Sequence, residues 1–238
     1  MGTIAVLSRK GDWRRAALIV PGTYDRRMTN APARDYDALA LDIPNGATRG
    51  ARMRAVVDAL WRAFQRREEG DLGVSWVGFY LGPGESHDGA TAGPDQMVLA
   101  LRQPKPACSP IGLHGACGQC YRARRSLVVT DVRNLGENYV ACDPRDRSEV
   151  VVPCLDESGG CFGVLDLDSF DAGAFSTGDA AALSALLARA GLSAPRAGPG
   201  PASASAAARR VARSSMSART TPRTSSAKCQ TAVLRTTG

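Results

Sequence analysis

The sequence predicts an α+β fold for residues 41–190. Two observations carry it: short β-branched and aromatic runs recur in hairpin pairs, and a helix-period apolar pattern stands at each end of them. At the first end, Met53, Val56, Val57, Leu60, Trp61 and Phe64 repeat at helical spacing, which predicts an amphipathic helix over 48–68 closed by Gly70. "GVSWVGFYLGP" is bounded by glycines and reads as a strand; the loop "GPGESHDGATAGPD" joins it to a second strand, "QMVLALR". "GACGQCYRARRS" suits a short helix leading into the strand "SLVVTDV", and an irregular loop carries residues 134–146. "SEVVVPCLDESGGCFGVLDLDS" reads as two strands joined by a tight Gly-rich turn. In "FSTGDAAALSALLARAG", Ser176 is placed to cap, Asp179 stands three residues on, and leucines bury one face before Gly191 ends the helix.

Charge marks off the ends. The 238 residues carry a net charge of +7, yet residues 191–238 hold eight Lys or Arg and no acidic side chain. The acidic side chains outnumber the basic ones between residues 35 and 190, which argues against a nucleic-acid-binding core. Residues 191–238 read as a basic, low-complexity, disordered tail, because large apolar side chains that offset the entropy of ordering are almost lacking. Residues 1–40, broken by Pro21, Gly22 and Pro32, read as an N-terminal extension of unspecified structure. No apolar run approaches the roughly 18 residues of a membrane span, and Ala16 to Val20 is too short for a signal-peptide core. The expected location is cytoplasmic, with no membrane partner and no specific nucleic-acid partner.

Seven cysteines at irregular spacing do not suggest a disulfide framework; catalytic or metal-binding use is the expected functional role. Cys154 and Cys161 sit in strands among Val, Leu and Phe and read as buried filler, and Cys229 lies in the tail. Cys108, Cys117, Cys120 and Cys142 fall in loops or at a helix start, where thiolates are expected to be exposed and stabilised. Cys117 and Cys120 have zinc-knuckle spacing, but Cys108 and Cys142 do not supply a second close pair. A thioredoxin-type pair is also weak, since a Pro- and Gly-containing loop precedes the CxxC. The third reading is a nucleophilic thiolate with a resolving thiol: Cys142 lies near Arg145 and Arg147 in sequence, and Glu149 stands ready as an acid.

The segments "SWVGFYL", "KPAC", "GACG", "VTDV", "ACDPRDRSEVVVP" and "GVLDLDS" resemble, in order and nearly in spacing, the free methionine-(R)-sulfoxide reductases, which are single GAF domains. The resemblance runs from about Val74 to Ser169. It departs before Cys142, where "RNLGENYVACD" lacks the Phe-Pro-Gly-His often found there and is one residue longer. The resemblance implies a GAF-like fold: a central antiparallel sheet flanked by helices, with a loop-lined pocket opposite. It implies Cys142 as nucleophile, Cys108 as resolving thiol, Cys117 as recycling thiol, and Glu149, Asp166 and Asp168 as acidic pocket residues, with Trp76 as an aromatic wall. Carboxylates hold an ammonium, and the methyl-sulfoxide end of the substrate favours an apolar aromatic surface. Asp166 and Asp168, two apart on a strand, share a face.

The expected activity is therefore thiol-dependent reduction of free L-methionine-(R)-sulfoxide, through a sulfenic acid on Cys142 and a disulfide with Cys108. It calls for no metal and no organic cofactor, only a thioredoxin-like reductant, and the resemblance makes a homodimer plausible. The alternative is a non-enzymatic GAF module that senses a small ligand or oxidants through its thiols; fold alone does not choose between them.

Overall fold

The computed structural model describes residues 5–7, 34–133 and 143–194. Its elements run β1 (Ala5–Leu7), α1 (Arg49–Phe64), β2 (Trp76–Leu81), β3 (Ser86–His87), β4 (Ala90–Thr91), β5 (Gln96–Gln103), β6 (Ile111–Gly112), α2 (Ala116–Ala123), β7 (Leu127–Val129), β8 (Ser148–Leu155), β9 (Cys161–Ser169) and α3 (Thr177–Arg189). Seven strands form one sheet in the order β1-β7-β8-β9-β2-β5-β6, while β3 and β4 make a small separate hairpin inside the β2–β5 loop. Every pairing among β2 and β5–β9 is antiparallel; β1 adds a parallel edge beside β7.

Strand alternation divides the interior into two cores. Val77, Phe79 and Leu81 of β2, Val150 and Val152 of β8, and Leu165 and Leu167 of β9 face one side, where they pack with Val56, Val57 and Leu60 of α1 and Leu183, Leu186 and Leu187 of α3. Trp76, Tyr80, Val151 and Val164 face the other, with Ala116, Cys117 and Cys120 of α2. Each fully buried Val or Leu stabilises the fold by about 1.5–3 kcal/mol relative to exposure, so period-2 alternation fixes which side chains face which layer.

Helix α1 ends at Phe64, four residues before the predicted end. The Asp71 carboxylate accepts the Arg67 and Gly73 backbone N–H groups at 2.7 Å and that of Glu68 at 3.2 Å. These bonds hold a turn that returns the chain to Val74, whose N–H donates to the Phe64 carbonyl at 2.7 Å. Gly70, at φ +79°, belongs to this turn rather than to the helix end. At α3 the predicted cap is present in full: Ser176 Oγ accepts from the Asp179 N–H, and the Asp179 carboxylate accepts from the Ser176 N–H.

The flanking chain also contributes to the first core. Tyr36 is buried and its hydroxyl donates to Asp179 at 2.7 Å, beside the Arg34–Asp179 ion pair at 3.0 Å. Beyond α3, Leu192 is buried, and the Ala194 N–H donates to the Leu155 carbonyl at 2.8 Å. Of the tail expected to be disordered, residues 191–238, the part from 195 on lies outside the described residues. Among the described residues, no helix is long and apolar enough to cross a membrane.

Candidate active site

On the α2 face of the sheet, opposite α1 and α3, lies a pocket whose floor is β2, β8 and β9. Five acidic side chains line it, Asp143, Asp146, Glu149, Asp166 and Asp168, against one basic side chain, Lys105. Antiparallel register assembles three of them: Glu149 of β8 pairs with Asp168 of β9, and Asp166 pairs with Val151, two residues beyond Glu149. Same-face periodicity then brings all three carboxyls to one surface.

Beside these carboxyls the floor is aromatic. Trp76 and Tyr80 share the pocket face of β2, with ring centroids 6.0 Å apart. Gly78 stands between them, and a Cβ there would lie 2.3 Å from the Trp76 indole, so only glycine lets the indole lie across the strand. Both aromatics anchor the loop that closes the pocket: Trp76 Nε1 donates to the Lys105 carbonyl at 3.0 Å, and the Tyr80 hydroxyl donates to the Cys108 carbonyl at 2.8 Å. Phe170 completes the lining, with the Arg145 guanidinium 4.3 Å above its ring.

The carboxyls differ in their electrostatics. Arg145 holds Asp143 well below the ordinary carboxylate range through hydrogen bonds at 2.8 and 3.0 Å, and Lys105 adds an ion pair. Burial pushes Asp146 up to about 6 although Ser75 Oγ donates to it at 3.1 Å. Burial also raises Glu149 and Asp166 far above the usual carboxylate range, reinforced for Glu149 by Asp166 and for Asp166 by Asp168. Glu149 and Asp166 therefore hold a proton more tightly than ordinary carboxyls do. Asp166 accepts a hydrogen bond from the Cys117 thiol at 3.1 Å on Oδ2, while its Oδ1 is buried without a partner.

The structure thus brings Trp76, Cys117, Glu149, Asp166 and Asp168 together in one pocket. Cys108 lies in the closing loop, half-buried, and does not line the pocket, although its neighbour Ala107 does. Cys142 lies outside the described residues; Asp143, next in the chain, lines the pocket.

One expectation is corrected. Cys117 and Cys120 are buried rather than exposed, and desolvation, with Asp166 acting on Cys117 and with Cys161 and Cys154 acting on Cys120, pushes both thiols well above their ordinary range. Neither is a stabilised thiolate. Arg145 and Arg147, near Cys142 in sequence, bond to Asp143 at 2.8 Å and Asp131 at 3.1 Å. Among the described residues, Cys117, Cys120, Cys154 and Cys161 are free thiols. Cys154 is buried as expected, but Cys161 is only half-buried. Sequence reasoning missed Ser75, Tyr80, Lys105, Asp143, Asp146 and Phe170. Tyr80 carries a signal, two even steps along the strand from Trp76; the loop residues carry none.

A curved antiparallel sheet with helices behind it and an acidic, aromatic pocket in front defines an α+β domain with a single-sided pocket. The sequence model of the GAF domain matches residues 60–193, more than half of the chain, and the protein belongs to that family. A solved GAF domain structure superposes with a TM-score of 0.50 at 24% identity, covering 63% of this chain and 78% of that one, which agrees on the fold. The chain is similar to the free methionine-R-sulfoxide reductase of Saccharomyces cerevisiae, 30% identical over 113 residues, covering 47% of this chain and 57% of the relative. It is also similar to the free methionine-R-sulfoxide reductase of Escherichia coli K12, 32% identical over 118 residues, covering 49% of this chain and 64% of the relative. The matches span less than two thirds of these relatives' own lengths.

Proposed function

We propose that the protein reduces free L-methionine-(R)-sulfoxide to L-methionine with thiols as the electron source. The observation that carries this reading is the pocket's composition: acidic and aromatic side chains lie side by side on the sheet floor, and the Cys117 thiol of α2 bonds to one of the carboxyls. Such a site suits a small zwitterion with an ammonium at one end and an apolar methyl-sulfoxide at the other. The names of the similar yeast and bacterial proteins support the same reaction.

In this reading Glu149, Asp166 and Asp168 hold the substrate ammonium, and Trp76 packs on the methyl-sulfoxide end. The arriving cation favours ionisation of one buried carboxyl, so a proton is available where the sulfoxide oxygen needs it. Cys142 attacks the sulfoxide sulfur and Glu149 protonates the departing oxygen. The S–O bond breaks as the oxygen leaves as water. A water molecule then attacks the Cys142 sulfur, the S–S bond to the substrate breaks, methionine leaves, and Cys142 is left as the sulfenic acid. The Cys108 thiol condenses with it, forming the disulfide and releasing water. A thioredoxin-like dithiol then reduces that disulfide, by way of Cys117 as the recycling thiol. The burial of Glu149, which raises its affinity for a proton, supports its role as the acid.

Cys142→Ser is expected to abolish turnover, and Cys108→Ser to permit at most one turnover per protein unless an external thiol resolves the sulfenic acid. Sulfenic acid is trapped with a dimedone-type reagent and located by mass spectrometry. Substantial multiple-turnover activity in Cys142→Ser would overturn the assignment.

A further inference from the structure

We propose that Cys117, Glu149 and Asp166 form a zinc-binding site in the reduced protein. Their ligand atoms, one sulfur and two carboxylate oxygens, lie within 4.8 Å of one another, and all three residues are buried. Tetrahedral zinc with sulfur and oxygen ligands needs ligand–ligand separations of roughly 3.3–3.6 Å. The Cys117 sulfur is already 3.1 Å from Asp166 Oδ2, so the cluster closes on a metal by adjustments of about an ångström at Glu149.

A second observation points independently to a cation at this place. Asp166 is 6% exposed, and its Oδ1 has no hydrogen-bond partner. A buried carboxylate oxygen left unpaired is costly, and a nearby proton or metal ion removes that cost. Glu149 shares this space.

The donor set selects the metal. One thiolate with two carboxylates suits zinc, whereas magnesium and calcium demand more oxygen ligands and do not favour sulfur. Three protein ligands leave a fourth position for water or a molecule in the pocket. The site differs from the knuckle suggested by Cys117 and Cys120, because Cys120 is not part of the cluster. It packs instead with Met97, Leu127 and Val164 in the second core.

Because ligands bind zinc in their deprotonated forms, entry of the metal displaces protons from the thiol and the buried carboxyls, and affinity rises with pH. Zinc would also occupy two of the carboxyls assigned to the substrate ammonium, and so exclude substrate. That last consequence rests on the reductase reading; metal binding itself does not.

The test uses the full chain, stripped with a chelator and held reduced by a phosphine. Cobalt(II), the spectroscopic probe for zinc, is titrated and then displaced by zinc. The expected result is one equivalent bound with a sulfur-to-cobalt charge-transfer band and tetrahedral d–d bands. The charge-transfer band disappears in Cys117→Ser and persists in Cys120→Ser. Asp166→Asn, nearly isosteric, weakens zinc at least about tenfold, the low end of what even an outer-shell change costs. Absence of a charge-transfer band in the folded, reduced wild type overturns the proposal, as does its persistence in Cys117→Ser. Because the spectrum is read without substrate, its outcome is separate from that of any activity assay.

Discussion

Asp146→Asn is expected to stabilise the protein at pH 8 and to do nothing comparable at pH 4. Asp146 is 4% exposed, and burial raises its carboxyl from 3.8 to about 6. The native chain therefore binds this proton more tightly than the unfolded chain. The stability associated with the protonated group is full below about pH 3.8, declines as pH rises through 6, and is gone above that. At about 1.4 kcal/mol per tenfold change in proton affinity, the ionised side chain costs the native state about 3 kcal/mol at pH 8. Solvent reaching the open side of the pocket reduces this, and the amide accepts a weaker hydrogen bond from Ser75 than the carboxylate does, which leaves a gain of about 2 kcal/mol. For a chain of this size that is a rise in Tm of about 4–8 °C. Glu149 and Asp166, which slope in the same direction, are present in both proteins and largely cancel from the difference. The assay is thermal unfolding of wild type and variant side by side at pH 4 and pH 8. An equal Tm difference at both values, or a lower Tm for Asp146→Asn at pH 8, would refute the reasoning.

Other outcomes follow from the same geometry. Gly78→Ala places a methyl 2.3 Å from the Trp76 indole and 2.9 Å from the Leu101 carbonyl, so the ring must leave the pocket wall; stability is expected to fall by about 1–3 kcal/mol and KM to rise, while retention of both would show that the indole does not line the ligand site. Ser176→Ala removes one half of the α3 capping box and is expected to cost about 1 kcal/mol in denaturant unfolding. Asp179→Ala removes the other half and also strips Arg34 of a buried partner, so it is expected to cost about 3–5 kcal/mol; equal losses for the two variants would contradict the role given to Arg34. Wild-type turnover is expected to decline as pH rises and Glu149 loses the proton that burial holds on it. Glu149→Gln is expected to reduce the rate by about 10²–10⁴-fold and to remove that decline; a pH–rate profile identical to wild type would exclude Glu149 as the acid.

Much of this architecture is legible in the sequence because periodicity is a local property. The alternation in "SWVGFYL" and "GVLDLDS" places Trp76, Asp166 and Asp168 on one sheet face, and Ser176 with Asp179 announces the start of α3. The state of a side chain is not local. Cys117 sits at a helix start, a position that favours thiolates, yet α2 packs it against Asp166 and away from water. Arg145 and Arg147 are near Cys142 in sequence but are engaged by carboxylates at Asp143 and Asp131. The early end of α1 depends on Asp71 collecting three backbone N–H groups, a competition that helical periodicity does not register. Asp146 and Lys105 enter the site through loops, where no repeating pattern marks which side chains point inward.

The most direct test of the reductase reading is to incubate the purified, reduced protein with an equal mixture of free methionine-R- and S-sulfoxide and dithiothreitol, then measure loss of each isomer and methionine formed. The account predicts loss of the R isomer matched by methionine, with the S isomer left intact. Failure of the folded protein to consume either isomer, or equal consumption of both, would contradict it.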